Sequence, residues 1–245
     1  MNAMHRNGKA LGRMLEQAYL EIIPSPGIED RLAAIPHGSY ISITCSPAKG
    51  VDSTLELMES LAGQGWHLVP HIAARMVRDK GHLAEIMARL DASNIHSVFV
   101  PGGDAPEPAG TDDCSLDLLR DMADMGHRFE DVGIAAHPEG HALVDDDELL
   151  RLLLEKQEVS TYLVTQMCFD TAVIVDWLNN IRNAGVSLPA WIGLPGVADR
   201  MKLFKISLRI GVGRSAKMLM NQKGLFRKML QFKPYRPDEL VHGLA

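Results

Sequence analysis

Seven short β-branched runs alternate with longer segments of helical period, and this alternation predicts a parallel α/β fold. The runs Ile41-Ser42-Ile43, Val98-Phe99-Val100 and Val132-Gly133-Ile134 are short and bounded, as central parallel strands are when both faces are buried. A chain of 245 residues is long enough for one large α/β barrel, so length does not demand two domains.

The elements follow in order. The first strand is predicted at Tyr19–Ile23. The second, Tyr40–Thr44, leads to a helix over Ser53–Ala62, after which Gly65 suits a left-handed cap. The third strand, His67–His71, is followed by a helix over Lys80–Leu90. The fourth, His96–Val100, opens into a Pro- and Gly-rich βα loop, Gly103–Asp113, before a helix at Leu116–Met125 and Gly126. The fifth strand, Val132–Ala136, precedes a helix at Asp147–Glu158. The sixth, Tyr162–Gln166, precedes a helix at Thr171–Asn183, with Gly185 after it. The seventh, Ala190–Leu194, precedes a helix at Ala198–Ile210. From Arg214 onward the pattern is mostly helical, and Pro237–Leu244 reads as its last helix.

Seven strands suit either an open doubly wound sheet or a (β/α)8 TIM barrel with one strand still to come. The expectation is the barrel, a single domain over residues 1–245, with its closing strand beyond Ala245.

Composition narrows the function. The net charge is −6, from 25 basic and 31 acidic residues, which argues against nucleic acid as a partner. No apolar run approaches the roughly 20 residues that cross a bilayer, and the first nineteen residues do not read as a signal peptide. Three cysteines, Cys45, Cys114 and Cys168, without a CxxC, argue for a reducing compartment and against a cysteine zinc site. The expectation is a cytoplasmic protein, a homo-oligomer, with a small-molecule substrate and no membrane partner.

In parallel α/β folds ligands bind at the carboxyl ends of the strands. The polar residues there are Glu21, Thr44, His71, Gly102-Gly103-Asp104, His137-Pro138-Glu139-Gly140-His141, Gln166 and Gly193. Glu21 lies among Leu20, Ile22 and Ile23. It is either an edge residue, half of an ion pair, or a carboxyl whose raised pKa suits a general acid. His71 suits a structural role or a catalytic one. Met58, Met76 and Met87 read as core or helix surface, and Arg182, Arg200 and Arg209 as solvated helix residues. His71, Asp104, His137 and His141 would also suit a metal-dependent hydrolase, although the usual first-strand His-x-His is replaced by Glu21. The expectation is that no metal is bound.

Six of these pieces, in order, resemble the 5,10-methylenetetrahydrofolate reductase family. Leu20-Glu21-Ile22-Ile23-Pro24 is similar to its Glu-Phe-Phe-Pro, and Ile41-Ser42-Ile43-Thr44 to its Ser-Val-Thr. Pro70-His71 matches its Pro-His, and Gly103-Asp104-Ala105-Pro106 its Gly-Asp-x-Pro. Ala135-Ala136-His137-Pro138-Glu139-Gly140-His141 resembles its Ala-Ala-Tyr-Pro-Glu-x-His, and Thr165-Gln166-Met167-Cys168-Phe169-Asp170 its Thr-Gln-Phe-Phe-Phe-Asp.

The resemblance implies reduction of 5,10-methylenetetrahydrofolate to 5-methyltetrahydrofolate by NAD(P)H, through FAD or by direct hydride transfer. It implies Glu21 as general acid, and Asp104 and Gln166 as pterin contacts. Thr44, His71, Gly103, Ala136, His137 and His141 match positions that hold the flavin. A folate-binding protein without redox activity on the same barrel is the alternative, for which a buried acid has no use. The chain departs from the family at His137 (Tyr), Gly102 (Arg) and Met167 (an aromatic). The family's Arg-Lys pair toward the FAD diphosphate falls on Leu154-Glu155, in a helix that opens with acidic residues. A diphosphate needs donors or positive charge, so this departure predicts a protein that holds little or no FAD.

Overall fold

The computed structural model describes Gly12, residues 14–209 and residues 235–244. These form two compact units, the first with residues 14–135 and 155–162, the second with residues 136–154, 163–209 and 235–244.

The first unit holds β1 (Tyr19–Ile22), β2 (Tyr40–Ile43), β3 (His67–Pro70), β4 (Ser97–Val100) and most of β5 (Asp131–Ala136). β1, β2 and β3 pair in parallel, with Glu21 opposite Ser42 and Ser42 opposite Val69. One parallel bridge, His71 to Phe99, joins the β3 end to β4, and β4 pairs in parallel with β5. Spatial order therefore follows chain order, as successive right-handed βα units produce. Ile41, Ile43, Val98, Val100 and Ile134 are fully buried, as in parallel strands covered on both faces.

After the short α1 (Ile28–Leu32), three longer helices cover this unit. α2 (Gly50–Leu61) buries Val51, Thr54, Leu55, Met58 and Leu61 at helical spacing. α3 (Lys80–Ala92) starts at Asp79, whose carboxylate accepts from the His82 N–H at 2.8 Å. α4 (Ser115–Asp124) buries Leu118, Leu119 and Met122. Arg89 of α3 forks onto Glu59 of α2 and also reaches Asp52.

In the second unit, β6 (Tyr162–Thr165) pairs in parallel with β7 (Ala190–Trp191) through Leu163 and Ala190. α5 (Asp146–Lys156) precedes β6, and α6 (Thr171–Asn183) follows it. Asp170 caps α6 by accepting from the Ala172 and Val173 amides. α7 spans Arg200–Arg209 and α8 spans Asp238–Leu244. Leu240 of α8 packs with Ile174 of α6 and Cys168 in a buried cluster.

Every predicted strand and helix within the described residues is present, with differences at the ends. β7 has two residues, not five, and α2 begins at Gly50, three residues early. Gly65, Gly126 and Gly185 all have positive φ, as expected of helix-ending glycines. The helix Ile28–Leu32, α1, was not predicted, nor were 3-10 turns at Ala74–Met76 and Gln157–Val159. Elements of three to five residues are too short to carry a period. Arg182 is not merely solvated: its guanidinium donates to the Val186 and Leu188 carbonyls beyond the helix end. The readings for residues 214–234 and for the first eleven residues lie outside the described residues.

Candidate functional site

In the first unit, register sets the arrangement. Residues opposite each other on parallel strands share a face, so Glu21 lies beside Ser42, and His71, two residues past Val69, follows on that face. Ser42 Oγ and His71 Nε2 share a buried hydrogen bond of 2.6 Å. The His71 ring is 7% exposed and tilts against Phe99, centroids 4.6 Å apart. Burial pushes its pKa down to about 3, so the imidazole is neutral at working pH.

Glu21 differs. Its residue is exposed, yet protein atoms crowd its carboxyl, and the desolvation raises the pKa above the usual carboxylate range. The solvent contact moderates that rise, but it also lets a substrate reach the acid. No opposing charge is among the causes of its shift.

Thr44 continues β2. Its N–H donates to the Ile22 carbonyl and its own carbonyl accepts from Thr54 Oγ1, but its hydroxyl is buried without a hydrogen-bond partner among the described residues. A buried hydroxyl left unpaired is costly, and a ligand's polar atom would satisfy it. Gly103 has φ +98°, and a Cβ there would meet the Ala73 Cβ at 3.0 Å. Asp104, next to it, is exposed and has no hydrogen-bond or ion-pair partner among the described residues.

In the second unit, Ala136 is buried and its carbonyl accepts from the Gln166 N–H at 2.7 Å. The Gln166 side-chain carbonyl accepts from the Met167 N–H at 2.8 Å, so the amide NH2 is what it offers a ligand. His137 and His141 meet edge to face, centroids 5.0 Å apart, across a turn closed at Gly140. His141 Nδ1 accepts from the Leu143 N–H. Cys168 Sγ donates to Glu139 Oε1 at 3.4 Å. Among the described residues no group of three or more His, Cys, Asp or Glu is arranged to hold a metal ion.

The α5 N-terminus tests the fit of a flavin diphosphate. Asp145, Asp146, Asp147, Glu148 and Arg151 line an open depression of about 450 Å³. The Arg151 guanidinium forks onto Glu148 at 2.6 and 2.7 Å, so its charge is already neutralised. In the first unit, the Lys156 amine is largely buried, which lowers its pKa, and Cys114 and Asp117 are its electrostatic neighbours. Four carboxylates and a paired arginine do not fit a diphosphate. The unpaired Thr44 hydroxyl alone does not supply what that group needs.

Sequence reasoning missed the Ser42–His71 pair and the engagement of Lys156. The Ser-x-Thr run of β2 signalled the first, because a period of two puts Ser42 and Thr44 on one face.

The methylenetetrahydrofolate reductase family model matches residues 29–207. Methylenetetrahydrofolate reductase 1 of Schizosaccharomyces pombe is 35% identical over 65 residues, which is 26% of this chain. The matched part spans 11% of that relative's length. Among solved structures, an uncharacterized protein from Clostridium thermocellum that binds two copies of 5-methyl-5,6,7,8-tetrahydrofolic acid matches with a TM-score of 0.61. The match covers 96% of this chain and 88% of that one, at 15% identity, so the likeness is one of fold.

Proposed function

The chain belongs to the methylenetetrahydrofolate reductase family, and from that premise we propose that it reduces 5,10-methylenetetrahydrofolate to 5-methyltetrahydrofolate with NAD(P)H. The observation that carries the reading is Glu21: an accessible carboxyl at a parallel strand's end, held toward its neutral form by burial.

The chemistry requires such a group. Protonation at N10 opens the five-membered ring and leaves an iminium between N5 and the methylene carbon. Hydride then adds to that carbon, giving the N5-methyl group, and the nicotinamide leaves oxidised. Glu21, whose carboxyl burial holds toward its neutral form, is proposed as the donor. His71 is neutral and adds no positive charge that would favour the ionised form of Glu21. Asp104, exposed and unpartnered among the described residues, is proposed as an acceptor for the pterin's N–H groups. The acidic face of α5 does not fit FAD, so the hydride is proposed to pass directly from the nicotinamide.

Incubation with methylenetetrahydrofolate and either NADH or NADPH tests this. The expected result is nicotinamide oxidation with an equal amount of 5-methyltetrahydrofolate formed. Tight folate binding without turnover by either nicotinamide, with or without added FAD, would overturn it and leave a folate-binding protein.

A further inference from the structure

Asp104 stands in a loop that one residue of the preceding βα connection brackets on both sides. Arg75 lies in the 3-10 turn Ala74–Met76. Its backbone N–H donates to the Gly102 carbonyl at 2.9 Å, and its backbone carbonyl accepts from the Ala109 N–H at 2.9 Å. Its Nε donates to the Ala105 carbonyl at 2.7 Å and Nη2 to the Pro106 carbonyl at 2.8 Å. Nη1 donates to the Asp113 carboxylate. A loop with three prolines and three glycines from Pro101 to Gly110 has little regular structure to fix it. The Ala74 N–H holds the Pro101 carbonyl at 3.0 Å, and Arg75 holds the loop two residues before Asp104 and one residue after.

We infer that Arg75 is a positioning residue for Asp104, holding its carboxylate where the folate's hydrogen-bonding edge meets it. The inference rests on the proposed pterin role of Asp104 and deepens it. Position 102, where the related enzymes carry arginine, is Gly102, so the guanidinium on this loop comes from a different strand's end. A planar fork suits the task, because its donors reach Ala105, Pro106 and Asp113 together. A lysine keeps the backbone bonds, but its one nitrogen cannot hold all three of those groups.

A double-mutant cycle tests the coupling. Affinity for 5-methyltetrahydrofolate is measured by calorimetry for the wild type, Arg75→Ala, Asp104→Ala and the double variant, with Arg75→Lys as a milder change that keeps charge and stem. Asp104→Ala is expected to weaken binding roughly ten- to a hundredfold. Arg75→Ala should cost a comparable part of that factor and Arg75→Lys a smaller part. Arg75→Ala should not weaken binding further once Asp104 is alanine. Losses that multiply in the double variant, or an Arg75→Ala protein that binds folate as the wild type does, overturn the inference and leave Asp104 as a contact. Unchanged affinity in Asp104→Ala would overturn both the contact and the inference built on it.

Discussion

Ser42 Oγ lies 2.6 Å from His71 Nε2, and the pair is buried beside the strand that carries Glu21. The bond answers the question that a buried imidazole poses. A ring this enclosed, pushed down to about pKa 3, stays neutral and must satisfy its nitrogens within the protein. The consequence reaches function: the polar layer next to the proposed acid carries no positive charge.

The first prediction concerns that acid. Glu21→Gln keeps the shape and removes the proton donor. Turnover of methylenetetrahydrofolate is expected to fall about 10²–10⁴-fold, the usual worth of general acid catalysis, with nicotinamide affinity kept. Because burial raises the Glu21 pKa, the wild-type rate should decline as pH rises through that raised value. A Gln variant of wild-type activity, or one that keeps the same alkaline limb, would remove Glu21 from the mechanism.

The second prediction follows from His71. Its folded pKa is depressed, so the stability it contributes is present above the unfolded value of about 6.5 and is lost as pH falls toward 3. Denaturant midpoints should therefore drop between pH 6.5 and 4, and His71→Phe should flatten that limb. Glu21 acts with the opposite sign, its raised pKa favouring the fold at low pH. For that reason the comparison is made in the Glu21→Gln background. Ser42→Ala, which strands the ring nitrogen, should cost about 1–3 kcal/mol at pH 8.

Much of the fold was legible because burial writes it into the sequence directly. Ile41, Ile43, Val98 and Val100 mark strands covered on both faces, and Gly126 and Gly185 mark helix ends that need a left-handed residue. The candidate site was legible as residue types at strand ends. Partners were not. Nothing in the run Ala73-Ala74-Arg75-Met76 says that Arg75 reaches a loop some thirty residues later, because that contact depends on two βα connections lying side by side. Nor does the sequence show that Arg151 and Lys156, the basic residues of α5, are taken up, the first by a neighbour one helical turn away and the second by burial.

A third prediction tests the packing that sets β5. A Cβ on Gly133 would lie 2.4 Å from the Tyr162 ring, whose hydroxyl donates to the Val98 carbonyl. The ring cannot yield without breaking that bond, so Gly133→Ala should destabilise by about 1–3 kcal/mol, as overpacked cores do. Adding Tyr162→Phe frees the ring to move and should recover part of the loss. Thermal melts of the two variants check this, and a Gly133→Ala protein as stable as the wild type would show that the ring swings aside freely.

The last prediction concerns the flavin. A tightly bound diphosphate needs charge-assisted donors, each worth about 1.5–3 kcal/mol. At α5 the chain presents Asp145, Asp146, Asp147 and Glu148, with Arg151 locked onto Glu148. Losing two such contacts weakens a ligand by roughly 10²–10⁴-fold, and four carboxylates add repulsion. The protein should therefore purify without the visible flavin band, and added FAD should not raise its rate. The kinetics then distinguish the two routes. A flavin shuttle gives ping-pong patterns, because reduced flavin outlives the departed nicotinamide. Direct transfer needs nicotinamide and folate bound together, so double-reciprocal plots should intersect. A yellow protein with stoichiometric FAD and parallel plots would show that donors outside the α5 terminus carry the diphosphate.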